Sequence, residues 1–249
     1  MKRASWLLAM IVVFAFVPVP SQATGRWRLD FENGAAWAGY NDVQIPKSSG
    51  TRFSLTDDFK IDASYYYRLR LNYQIHPRHS LSLLFAPLSV NASGQTAFPI
   101  SFNGVSFPAG ASAQAVYRFN SYRITYRYEL VQNQTWKVGI GFTAKIRDAA
   151  IKLEANNLKS EKANVGFVPL VHFRVEWTLT PSLGLHLEGD ALAASQGRAE
   201  DVSLTLLYRL WPAVSLKAGY RIVEGGANVE EVYNFALIHY AAAGLVIEF

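Results

Sequence analysis

The chain contains no cysteine in its 249 residues. No disulfide can brace it, and no acyl thioether can anchor it as a lipoprotein. Long apolar runs are also scarce. The one run near the N-terminus, Trp6 to Val17, has about a dozen residues, short of the roughly 18–20 that a membrane helix needs. No later stretch reaches that length, so a helical membrane protein is not expected. Charge of one sign is thin as well. The formal net charge is +5, falling to +3 if Lys2 and Arg3 are removed. No basic run carries interleaved aromatics, so nucleic acid is not an expected partner. No linker or low-complexity segment divides the chain.

What is present begins with a start signal. Lys2 and Arg3 precede the short apolar run, Pro18 and Pro20 end it, and Ser21-Gln22-Ala23 follows with small residues at the −3 and −1 positions of a cleavage site. This pattern predicts an exported protein with a signal peptide at residues 1–23. Residues 24–249 then form a single domain.

That domain is dominated by alternation. From Ile61 to Ile75, Ile61, Ala63, Tyr65, Tyr67, Leu69, Leu71, Tyr73 and Ile75 share one face, while Asp62, Ser64, Tyr66, Arg68, Arg70, Asn72 and Gln74 share the other. Successive side chains of a strand point to opposite faces, so this is a long strand with one apolar and one polar side. The same pattern predicts ten strands, near 26–40, 59–75, 80–97, 112–130, 136–154, 161–179, 183–195, 200–210, 214–223 and 232–249. Short turns at 76–79, 132–134, 180–182 and 211–213 alternate with longer connections near 41–58, 98–111, 155–160, 196–199 and 224–231. The fold expected is all-β: a transmembrane up-and-down antiparallel barrel of about ten strands.

Three features place the apolar face outside, against lipid. Trp27, Trp136, Trp177 and Trp211 fall at one predicted end, and Trp37 lies ten residues along the first strand from Trp27. That spacing spans roughly 25 Å at ~3.3 Å per residue and a ~40° tilt, the height expected between two aromatic girdles. The last strand ends in Phe249, with Ile247, Leu245, Ala243 and Ala241 at alternate positions, which resembles the assembly signal of outer-membrane barrels. Charges also complement across the polar face. A turn centred on Pro181 sets His172 against Asp190, Arg174 against Glu188 and Glu176 against His186, and a turn centred on Asn133 sets Glu129 against Lys137. Arg28, Asp30, Glu32, Arg68, Arg70, Arg123, Arg127, Lys145, Arg147, Arg209, Lys217 and Arg221 share that inward face.

No cofactor or metal is expected, and no catalytic constellation emerges. Omptin proteases use paired aspartates with an Asp-His pair at the rim. Asp57-Asp58 is present here, but no Asp-x-His partner. Lipid A deacylases and outer-membrane phospholipase A use His-x-Ser on a strand, and only His79-Ser80 occurs, at a spacing that puts the two on opposite faces. His76 and His79 in one turn are a weak metal pair, and His186, Glu188 and Asp190 share one face. The loop phrases Gly50–Phe59, Gln196–Asp201 and Glu224–Glu231, with Val232–Ala241, resemble a group of uncharacterised outer-membrane barrels of Gram-negative bacteria, a likeness that implies the location and fold but no activity. The expectation is therefore a non-enzymatic outer-membrane barrel with an ion-paired, largely sealed lumen and a structural or surface-interaction role. The alternatives are a narrow, porin-like pore for small polar or anionic solutes, and a lipid- or peptide-modifying enzyme. The partners expected are outer-membrane lipid and lipopolysaccharide, and the barrel assembly machinery during biogenesis.

Overall fold

The computed structural model describes residues 26–249; the segment expected as a signal peptide, residues 1–23, lies outside them. Fifteen strands follow in order: β1 Trp27–Gln44, β2 Phe53–Ser54, β3 Lys60–Ile61, β4 Ser64–His76, β5 His79–Ala86, β6 Ser89–Gln95, β7 Ile100–Phe102, β8 Val105–Phe107, β9 Ser112–Gln132, β10 Trp136–Ala155, β11 Leu158–Thr180, β12 Leu183–Ala194, β13 Gly197–Trp211, β14 Val214–Val229 and β15 Val232–Glu248. Ten of them form a closed antiparallel wall. It runs β1-β4-β5-β9-β10-β11-β12-β13-β14-β15 and returns to β1. β3 and β6 prolong β4 and β5 beyond short interruptions, the second at Pro87, which has no N–H to give to a ladder. Trp27 and Phe249 meet at one end of the wall, the base; the opposite end is the mouth.

Alternation sets the two faces of the wall. On β10, Trp136, Ile140, Phe142 and Ile146 point outward and are exposed, while Thr143 and Lys145 point inward and are buried. The first outward charge above them is Asp148, which pairs with Arg118 of β9 at 3.2 Å. The apolar belt on β10 thus spans ten residue steps, from Trp136 to Ile146, about 25 Å along the barrel axis at the usual rise and tilt. Leu83, Ile124, Val165, Phe167, Leu204 and Tyr208 continue the belt on the neighbouring strands.

The mouth differs from the long-loop picture. Asn156-Asn157, Ser195-Gln196 and Glu230-Glu231 are two-residue links rather than loops. The first holds Asn156 at φ 54°, the left-handed backbone that a tight hairpin turn requires. Glycine and acid at 224–231 suggest a loop in the sequence, yet that stretch is largely strand. Its glycines serve close backbone approach: a Cβ on Gly226 would lie 1.9 Å from the Asn234 carbonyl oxygen. Only two connections are long. The chain between β1 and β4 and the chain between β6 and β9 fold over the mouth. Ile45, Phe53, Leu55, Phe59, Phe102 and Phe107 are buried there against Tyr117, Leu153, Ile238 and Tyr240 of the wall. The interior is therefore layered, with apolar packing at the mouth and polar packing below it.

Register follows the turns. Around the β11–β12 turn, His172 lies opposite Asp190, Arg174 opposite Glu188 and Glu176 opposite His186. The β9–β10 pairing corrects the expected one: Glu129 lies opposite Gly139, and Lys137 opposite Gln132 on one side and Glu176 on the other. The cause is the turn itself. The Asn133 side chain accepts the Thr135 and Trp136 amides at 2.9 and 2.8 Å, which moves the turn centre past Asn133, and a bulge at Val138/Gly139 shifts the ladder again.

Candidate functional site

The lower interior is a layer of buried charge contributed by six strands. Asp201 of β13 is its centre. It accepts Arg123 at 2.6 Å, Arg68 at 2.8 Å and Arg221 at 2.5 Å. Glu32 of β1 takes Arg221 in a two-pronged contact at 2.8 and 3.0 Å and Lys217 at 2.8 Å. Lys217 also reaches Asp30 at 2.9 Å. Asp190 of β12 holds Arg123 at 2.6 Å, Thr143 at 2.6 Å and His172 at 2.9 Å. Burying these charges is tolerable because each carboxylate meets several donors; a lone charge in that position would cost several kcal/mol.

Nearer the base, contacts run across the bore as well as across the strand. Glu188, opposite Arg174 in register, meets Arg70 of β4 at 2.5 Å. Arg174 contacts Glu176 on its own strand, and Arg28 reaches Glu176 from β1 at 2.8 Å. His186 lies 3.6 Å from Glu188 and 3.9 Å from Glu176. Arg127 pairs with Glu129 at 2.7 Å, and Lys137 borders a small cavity of about 150 Å³ at the base. Long arginine side chains leave the ladder and cross a narrow bore, so direct opposition does not fix the ionic partner. Of the three opposed pairs around Pro181, His172 and Asp190 are the ones joined by a hydrogen bond.

The aromatic residues lie outside the wall. Trp27 packs on Tyr73 with ring centres 4.5 Å apart, Trp136 stacks on Trp177 at 5.0 Å, and Trp211 is exposed at the end of β13. Toward the mouth, Trp37 stacks on His239 at 5.7 Å and lies 6.3 Å from Tyr220. Phe249 exchanges two backbone hydrogen bonds of 3.0 Å with Trp27, joining the last residue to the first strand. His79 is hydrogen-bonded to the Tyr126 hydroxyl at 2.7 Å, and the Asp58 carboxylate accepts the Ser54 amide at 2.7 Å.

Above the charge layer, beside the apolar plug, lies a cavity of about 560 Å³. Tyr117, Phe119, Ile151, Val223, Ala236 and Ile238 give it apolar walls, Lys145, Arg147 and Lys162 give it three cations along β10 and β11, and Arg198, Glu224 and Glu231 border it from the β13–β15 side. Asp201 and Lys162 are two charged residues that sequence reasoning left out of the interior. Both carry a readable signal: Asp201 shares parity with Ser203 and Thr205, and Lys162 shares parity with His172 and Arg174.

No protein-family model matches the chain, and no curated protein matches it. Solved structures do. The outer membrane protease OmpT from Escherichia coli aligns over 90% of this chain and 96% of its own, at 10% identity and a TM-score of 0.56. The translocator domain of the autotransporter NalP from Neisseria meningitidis aligns over 90% and 89%, at 9% identity and a TM-score of 0.49. The attachment invasion locus protein Ail of Yersinia pestis aligns over 89% and 99%, at 8% identity and a TM-score of 0.39. These likenesses concern fold. The closed wall with its outward apolar belt, and the fold shared with the protease at a TM-score of 0.56, make the chain an outer-membrane β-barrel protein of the kind found in Gram-negative bacteria. The base carries the paired ends of the first and last strands, Trp27 and Phe249.

Proposed function

We propose that this protein is a non-conducting outer-membrane barrel that acts at its outer face, in a structural or surface-interaction role, on a scaffold sealed by its charge layer. The observation that carries this reading is the cluster at Asp201 and Glu32, where β1, β4, β9, β12, β13 and β14 send charged side chains across the bore into direct contact. Closed ion pairs bridging opposite walls leave solutes no path and hold the wall rigid. The surroundings this reading implies are outer-membrane lipid and lipopolysaccharide around the belt, with the assembly machinery engaging the strand that ends in Phe249. Planar-bilayer recording on the refolded full chain tests it. The expected outcome is a silent membrane; steady unitary conductance from the unaltered protein would replace this reading with a narrow pore.

A further inference from the structure

The wall is not of even height. The β10–β11 hairpin rises to Asn156-Asn157, whereas the β12–β13 hairpin ends at Ser195-Gln196. β11 has 23 residues and β12 has 12. Pairing between them stops at Val171 opposite Ala191, while β11 remains paired to β10 as far as Leu158. Residues 158–170 of β11 thus form an open edge facing a notch above β12. Pro169 sits on that edge, where a missing N–H is harmless.

The notch opens into the 560 Å³ cavity. Phe167, Val168 and Pro169 on one side of it and Leu192, Ala194 and Gln196 on the other all line the cavity. Phe167 belongs to the outward belt, so the cavity runs through the wall to the lipid-facing surface. An open sheet edge is not tolerated in hydrocarbon unless it borders a polar space. The notch therefore lies where the belt meets headgroups, a level also marked by outward-facing Asp148 of β10 and Glu200 of β13.

Inside, charge is unbalanced. Among the described residues, no carboxylate lies within ion-pair distance of Lys145, Arg147 or Lys162, although carboxylates neutralise the layer just below. Lys145 is buried, with its ammonium 4.6 Å from the Phe119 ring centre. Arg147 donates to Asn164 at 2.5 Å, while its Nε is buried and has no partner. The two carboxylates on the cavity lining, Glu224 and Glu231, lie on the β14–β15 side, and Glu224 is engaged by Arg198, so the β10–β11 side presents three cations beside apolar walls and fits an anion with an apolar body. The volume falls within the roughly 300–1,000 Å³ typical of a pocket for one small ligand.

We infer that this notch is a lateral portal through which one acyl chain of a phosphorylated lipid of the outer leaflet enters the cavity, with its phosphate held by Arg147 and Lys162 and supported by Lys145. A phosphate monoester carries close to two negative charges near neutral pH, which suits a cluster of three cations better than a single carboxylate does. The inference goes beyond the sealed-barrel reading and stands whether or not the lower layer conducts.

Native mass spectrometry of the refolded full chain in a non-ionic detergent tests it, with 1-palmitoyl lysophosphatidate, palmitate and monopalmitoylglycerol as probes. A one-to-one adduct with lysophosphatidate is expected, at least tenfold tighter than with either other probe. The double variant Arg147→Gln/Lys162→Gln should lose that preference while keeping the parent's thermal unfolding profile. Leu192→Trp, which narrows the portal from the β12 side, should slow uptake of lysophosphatidate from phosphatidylcholine vesicles. Equal binding of palmitate or monopalmitoylglycerol, an unchanged double variant, or no adduct at all would each overturn the assignment. Uptake at the parental rate in Leu192→Trp would overturn the portal.

Discussion

Asp201 accepts contacts from three guanidiniums while lying almost fully out of solvent. Its replacement by asparagine keeps the shape and removes the charge that neutralises them. Breaking a buried ionic cluster by removing one partner costs about 3–5 kcal/mol, because the remaining charges stay buried without compensation. Asp201→Asn should lower stability by about that amount, read from urea unfolding of the refolded barrel by tryptophan fluorescence. Glu224 supplies the contrast. At the mouth it accepts two bonds of 2.8 Å from Arg198, which is about half exposed, and a third from the Tyr40 hydroxyl. Glutamine keeps an acceptor for these donors and leaves Arg198 in reach of water, so Glu224→Gln should shift the same curve less than Asp201→Asn does. A larger loss at Glu224 than at Asp201 would remove the energetic case for the charge layer. The difference between these acids was not readable from composition. Gln196-Gly197-Arg198-Ala199-Glu200-Asp201 has loop chemistry, and only the parity of Asp201 with Ser203 and Thr205 marks it as inward-facing.

At the scale of the element, alternation made the wall strands legible, and turn chemistry fixed their register where it was simple. Symmetry about Pro181 set β11 against β12 from Thr178–Gly184 onward, although a bulge at Leu179 puts Thr180 opposite Leu183 and shortens the turn to Pro181-Ser182. The Asn133 turn did not set β9 against β10, because an Asx hydrogen-bond pattern and a bulge both intervene and neither follows from alternation. The tops of β11 and β12 were also hidden, since unequal hairpin heights leave no periodic trace. The open edge of β11 has a measurable consequence. In an antiparallel ladder, amides point alternately to the two neighbours. Residues 172–177 have β10 on one side and β12 on the other, whereas residues 158–170 have β10 as their only strand partner in the ladder, with the Asn103 side chain donating to the Glu161 carbonyl. Hydrogen exchange should therefore protect the first group throughout and the second at every other residue. Uniform protection over 158–170 would mean that the wall is closed there. Glycine placement gives a second check on the elements. A Cβ on Gly226 would sit 1.9 Å from the Asn234 carbonyl oxygen, but one on Gly184 would come no nearer than 3.4 Å to Trp177. Gly226→Ala should force β14 from β15 and lower the thermal unfolding temperature, while Gly184→Ala should leave it close to the parent's.

Taken whole, the molecule is a barrel whose two interior layers have different jobs, and only the lower one was visible in the sequence. The arginines and carboxylates stand out by alternation on long strands. The plug does not, because Phe53, Phe59, Phe102 and Phe107 lie in stretches rich in glycine, serine and proline, where no period marks an inward face. The layers are in series along the bore, so the tighter one controls ion flow. The plug covers only part of the mouth, since the 560 Å³ cavity lies beside it. The charge layer spans the bore between that cavity and the 150 Å³ cavity at the base, and its contacts are 2.5–2.9 Å long around Asp201, Asp190 and Lys217. Replacing residues 98–109 by a short turn should thus leave a planar bilayer silent, although it removes the β7–β8 hairpin and much of the plug. Arg68→Ala/Arg123→Ala keeps the plug but deletes two guanidiniums at Asp201, opening space that water fills around an uncompensated carboxylate. That variant should show steady, cation-preferring unitary conductance. The reverse result, with current from the shortened loop and silence from the double alanine, would put the seal at the mouth and leave the charge layer as bracing for the wall.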